Sequence, residues 1–212
     1  MGGERMTVML VFLCCSGQSV LGRNGTMDDW IRLTNTLFSN YTKAMYPVHN
    51  LSEALMIDTS MMLLSITDFD ELAGVITINV VLISRWTDFR LTWDPKDYGG
   101  IEDIFINGSN LWKPSLFVQS TAQDLEPIGS DQFHVRVNFT GKCLELPGRL
   151  VRSSCAVDMR SFPLDSHVCD VIIRQWGVYD DEIKLTYTEN RINLSVFSPN
   201  GEWNLDETLV SY

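Results

Sequence analysis

Between Ile76 and Trp86 the chain alternates with a period of two, and that period fixes the backbone as extended. Ile76, Ile78, Val80, Leu82 and Trp86 fall on one side; Thr77, Asn79, Val81, Ile83 and Arg85 fall on the other. A strand with one apolar face needs a second layer to cover it. Further strand-like stretches are expected around 88–93, 115–119, 133–139, 143–152, 168–176, 183–189 and 203–211. Asp94-Pro95, Gly99-Gly100, Asn107-Gly108, Pro147-Gly148 and Pro199-Asn-Gly201 separate several of them, each a pair or triple that favours a turn.

One segment reads differently. Thr26 is placed to cap a helix whose first turn carries Asp28 and Asp29, and Trp30, Leu33, Leu37 and Tyr41 then recur at helical spacing. Pro47 would stop it, so one amphipathic helix is expected near 27–45. Short strands after a single helix, with no second long helical pattern, predict a mainly β chain. The expected architecture is an immunoglobulin-like antiparallel β-sandwich with one N-terminal α-helix. No repeat or composition break divides it, which gives one domain over 23–212.

Residues 1–22 have the layout of a secretory signal peptide: Arg5, an apolar run from Met6 to Cys15, then small residues around Ser16 to Gly22. The run is too short to span a bilayer, which takes about 20 apolar residues, and no second long apolar run follows. The alternative for this run is a buried N-terminal strand. Six N-x-[ST] acceptors, at Asn24, Asn40, Asn50, Asn107, Asn138 and Asn193, agree with secretion. The net charge of −11 argues against nucleic-acid binding and suits a site that attracts cationic small molecules. His49, His134 and His167 show no ligand spacing, so no metal and no cofactor are expected. No nucleophile–base or carboxylate pair marks an enzyme. Cys14 and Cys15 would leave with the leader, so Cys143, Cys155 and Cys169 remain: two to pair in an oxidising compartment and one left over.

Thirteen residues separate Cys155 from Cys169, with Phe162-Pro163-Leu164-Asp165 between them. This spacing and centre resemble the signature of the Cys-loop, or pentameric ligand-gated, receptor family. So do LFSNYTKAMYPV at 37–48, WTDFRLTW at 86–93, LWKPSLF at 111–117 and SPNGEW at 198–203, in family order. The likeness is to nicotinic acetylcholine receptor subunits and runs from about residue 28 to 205. It implies a Cys155–Cys169 disulfide, which would stabilise the fold by about 3 kcal/mol in the chain-entropy model. It also implies five related subunits in a ring, homo- or heteromeric, with a small-molecule ligand held between neighbours. The loop residues Phe162, Pro163, Leu164 and Asp165 would couple that site to a pore. Thr67 to Glu71 resembles the turn that sits beside this loop in receptors.

The resemblance places the ligand site residue by residue. Trp176 matches the aromatic-box tryptophan of the principal face; the alternative is a core tryptophan. Gln119 stands where the family has a tyrosine, and Ser115 where its Trp-x-Pro-Asp motif has the aspartate. On the complementary face Val81 takes the place of a tryptophan, with Ile83 on the same strand face. Leu144 and Leu146 lie on the other complementary strand, and ordinary strand packing is the alternative for all four. Tyr212 stands where the first aromatic of a third principal-face hairpin would be. Two settings fit: the extracellular domain of a membrane channel subunit, with its channel domain beyond this sequence, or a soluble secreted pentamer like the acetylcholine-binding proteins. The receptor-like length and apolar centre of the loop favour the first, placing the chain at the extracellular face of the plasma membrane.

Overall fold

A computed structural model describes residues 24–122, 125–129, 133–160, 165–199 and 201–211. The leader 1–22, including Cys14 and Cys15, lies outside the described residues, as do Phe162, Pro163, Leu164 and Tyr212.

The helix, α1, runs Met27–Phe38. Its first turn is closed by a capping box: the Asp29 N–H donates to Thr26 Oγ1 at 3.2 Å and the Thr26 N–H donates back to Asp29 Oδ2 at 3.0 Å. The Thr26 hydroxyl, which donates to Asp29 Oδ2 at 2.7 Å, and then the Thr26 N–H hold the Asp29 carboxyl down at about 2. Leu33 and Leu37 are buried. The helix ends well before residue 45, because the following residues are recruited elsewhere. Tyr41 hydroxyl donates to Asp88 Oδ2 at 2.7 Å and accepts the Trp112 N–H at 3.0 Å, while Arg90 Nη1 takes the carbonyls of Thr42 and Met45. A tertiary clamp overrides the helical pattern there.

Among the described residues ten strands follow: β1 (Leu55–Asp70), β2 (Val75–Thr92), β3 (Asp103–Asn107), β4 (Leu116–Val118), β5 (His134–Asn138), β6 (Thr140–Glu145), β7 (Gly148–Ala156), β8 (Val168–Cys169), β9 (Ile173–Gln175) and β10 (Ile183–Thr186). The large sheet has the order β10-β1-β2-β6-β5-β3, with β7 also on β2 and β8 on β7; β4 and β9 form the second layer. The expected sandwich is present, with differences in its strands. β1 and β3 did not stand out in the sequence. The stretch 88–93 is the end of β2, and 143–152 divides at Pro147, which donates no ladder hydrogen bond. β10 is shorter than expected and parallel to β1, so the sheet is mixed rather than wholly antiparallel. Residues 203–211 form no strand; the Val210 N–H donates to the Asn190 carbonyl, and Leu205 packs against the second half of the core.

β6 and β7 keep one register against β2, Ser84 opposite Glu145 and Val81 opposite Gly148, so they behave as one strand broken at Pro147. Gly141, the second residue of β6, has φ +80°, and a Cβ added there would lie 2.5 Å from the Asp88 carbonyl. The core has two halves. One, under α1, joins Leu33, Leu37, Trp86, Leu91, Ile104, Val135 and Val137. The other joins Ile78, Val80, Leu82 and Val151 of the large sheet to Leu116 and Val118 of the second layer.

Candidate functional site

β4 and β9 are antiparallel, with Phe117 opposite Arg174. The register continues at both ends: Trp176 N–H donates to the Ser115 carbonyl at 3.3 Å, and Gln119 N–H to the Ile172 carbonyl at 2.7 Å. Leu116, Val118 and Ile173 face the core. By alternation, Ser115, Phe117, Gln119, Ile172, Arg174 and Trp176 share the outer face. Trp176 is 64% exposed and is therefore not a core tryptophan; the Phe117 ring supports it edge-on, with centroids 5.1 Å apart. Gln119 stands at the far end of the same face, where its Oε1 accepts a hydrogen bond from Arg174 Nε.

The other four residues meet on the large sheet. Ile78, Val80, Leu82 and Trp86 are buried towards the core, so Val81, Ile83 and Arg85 look outward. Leu144 lies opposite Arg85, and the shared register puts Leu146 beside Ile83. Ile83 is 7% exposed and Leu146 46% exposed. Met62, opposite Val81, and Leu150, opposite Asn79, extend the same aliphatic surface. At its upper end Arg85 donates to Asp58 Oδ2 at 3.1 Å and Ser60 Oγ at 3.2 Å, and Thr188 Oγ1 donates to Asp58 Oδ1 at 2.8 Å.

Thus the structure assembles two surfaces. Trp176 and Gln119 belong to one; Val81, Ile83, Leu144 and Leu146 belong to the other. Each points away from the layer that the other belongs to, so one copy of the chain cannot close both over a ligand. The sequence reading missed Arg174, Phe117, Arg85, Met62 and Leu150. Strand spacing would have found two of them, since Arg174 precedes Trp176 by two residues and Leu150 continues the 144–146 alternation.

The bridge Cys155–Cys169 is formed, with Cα atoms 4.4 Å apart, and joins β7 to β8. Beside it the Cys155 N–H donates to the Gly74 carbonyl at 2.8 Å, next to the β1–β2 turn. Phe69 at the end of β1 lies 5.0 Å from the His167 ring and 5.0 Å from the Trp203 ring, so the two segments paired by resemblance do pack together. Asp165 Oδ2 sits 2.9 Å from His167 Nε2 in a largely buried corner. Cys143, the remaining cysteine among the described residues, is buried under α1, and burial pushes its thiol up to about 12. Among the described residues no group of three or more His, Cys, Asp or Glu side chains could hold a metal ion. No helix among them is long and apolar enough to cross a membrane.

The chain is thus a helix-capped mixed sandwich whose disulfide joins β7 to β8, with His167 packed on Phe69 of β1 and an exposed tryptophan on the smaller layer. The chain belongs to the neurotransmitter-gated ion-channel ligand binding domain family, whose profile matches residues 31–212. It is 32% identical over 181 residues to the acetylcholine receptor subunit alpha-1-A of Xenopus laevis, covering 85% of this chain and 39% of that protein. Against the acetylcholine receptor subunit beta-type lev-1 of Caenorhabditis elegans it is 33% identical over 201 residues, covering 92% and 39%. The acetylcholine receptor subunit alpha-like 2 of Drosophila melanogaster is 27% identical over 210 residues, covering 94% and 35%. The chain spans about two-fifths of the length of these curated relatives.

Proposed function

We propose that this chain is the extracellular ligand-binding domain of a pentameric ligand-gated channel subunit. The ligand sits between the Trp176 wall of one subunit and the Val81, Ile83, Leu144 and Leu146 wall of the next. One observation carries this reading: the two walls look outward from opposite layers of the sandwich, so a complete site needs two copies. Binding there shifts an equilibrium between two arrangements of the ring, and the Cys155–Cys169 loop with Phe162, Pro163, Leu164 and Asp165 passes the shift to a membrane-spanning part. The packing of His167 on Phe69 supports a contact between that loop and the β1–β2 turn.

The disulfide supports an oxidising compartment, and with it the cleavage of residues 1–22 on secretion. Asn24, Asn40, Asn50 and Asn107 are exposed and are the acceptors best placed for glycans; Asn138 and Asn193 are half-buried.

Complementation tests the assembly. Trp176→Ala and Ile83→Asp each remove one wall, and each alone should weaken ligand binding by about tenfold or more. Co-expressed, the two variants should regain a fraction of wild-type sites, because some interfaces then combine two intact walls. A monomer that binds ligand with full affinity, or a mixture that recovers nothing, overturns the inter-subunit site.

A further inference from the structure

Resting on the site just assigned, we propose that it takes a small anionic ligand, a carboxylate-bearing molecule with an apolar body, and that Arg174 is the charge partner. Arg174 lies two residues from Trp176 on the same outer strand face, about 7 Å away along the backbone. It is exposed, and among the described residues no carboxylate pairs with it. Its hydrogen bond to Gln119 uses Nε and steadies the side chain. The two terminal nitrogens remain for a ligand, in the forked geometry that matches a carboxylate. Trp176, backed by Phe117, supplies the apolar surface beside them.

The facing wall agrees. A quaternary ammonium is stabilised by several ring faces around it, and Val81, Ile83, Leu144 and Leu146 offer none. The acid on that wall, Asp58, is already taken by Arg85 and Thr188. Among the described residues, a cation placed between the walls would meet the Arg174 guanidinium, an Arg85 already paired with Asp58, and one indole ring. A carboxylate would meet the Arg174 guanidinium, with which no carboxylate among the described residues pairs, and an aliphatic surface for its body. The local charge thus opposes the sign that the net charge of −11 suits.

Phenylacetate and phenyltrimethylammonium carry the same ring and opposite charge, so titrating the assembled chain with each isolates the effect of sign. Phenylacetate should bind more tightly by about tenfold or more. Arg174→Gln should bring the two probes within about threefold of each other, Arg174→Lys should keep part of the preference, and Trp176→Ala should weaken both. Arg174 is exposed, so these variants should keep the wild-type circular dichroism. Tighter binding of the ammonium, still lost in Trp176→Ala, overturns the anionic ligand and leaves the site standing. Probe binding that Trp176→Ala leaves unchanged overturns the site, and this inference with it. Failure of phenylacetate to bind saturably, or a preference that survives Arg174→Gln, also overturns it.

Discussion

The two ends of β2 are held by different chemistry. Near Thr92, under α1, the buried Asp88 carboxylate accepts from Tyr41 and from Arg90 Nε and Nη2, both at 2.8 Å, and Arg90 goes on to bind loop carbonyls. The Arg90 guanidinium also lies over the Tyr41 ring, 4.4 Å from its centroid. Near Val75 the corresponding tie is covalent, the Cys155–Cys169 bridge. Around it the His167 Nε2 lies 2.9 Å from Asp165 Oδ2, and His167 Nδ1 is buried without a hydrogen-bond partner among the described residues. One end is fixed by a polar network that satisfies its members and depends on each of them. The other is held by a chemical bond that closes the loop.

Asp88→Ala should be the most damaging change, since it leaves the Arg90 guanidinium half-buried without its carboxylate. A loss of about 3–5 kcal/mol is expected in urea denaturation, and a loss below about 1 kcal/mol, as for a surface pair, would break the contrast. Cys143 lies in the same half of the core, so this variant should also make its thiol react faster with a thiol reagent. Replacing both Cys155 and Cys169 by serine should cost about 2–4 kcal/mol and leave Cys143 protected below the transition. Faster labelling of Cys143 there would mean that the two ends open together. Tyr41→Phe removes one hydroxyl from the network, an expected loss of about 1–2 kcal/mol by thermal melting.

The smallest effect should come from pH. The folded Asp29 carboxyl is depressed to about 2 from an ordinary value near 3.8, so its contribution to the α1 cap is complete above about pH 4. It fades as pH falls through about 2. Amide exchange at Asp29 and Trp30, corrected for its intrinsic pH dependence, should show reduced protection over that window. Protection unchanged down to pH 2 would detach the cap from the carboxylate.

The sequence carried β2, the capping box and the sandwich because each rests on a local pattern: a period of two, a four-residue motif, regularly spaced turns. β1 escaped because its pairing with β2 shifts register between Leu63 and Ser65 and again between Ile66 and Asp68. Each bulge inserts a residue and moves the apolar side chains to the other face. The helix was overextended for the opposite reason: Tyr41 fits the helical stripe, yet its hydroxyl is claimed by Asp88, 47 residues away. At the ligand walls, resemblance supplied positions such as Val81 and Trp176. Arg174 and Arg85 became visible only when strand register showed which neighbours share an outward face.

β2 is paired on both sides, with β1 along one edge and with β7 and then β6 along the other. Residues 75–85 are the part held along both edges at once, a length of about 33 Å. A ribbon clamped on both edges resists bending within its plane and cannot lengthen without breaking ladder bonds. It therefore works as a stiff spacer. A tilt imposed beside Val81 and Ile83 reaches the turn at residues 71–74 as a swing of fixed radius, so the outer wall and the bridged loop share one mechanical axis.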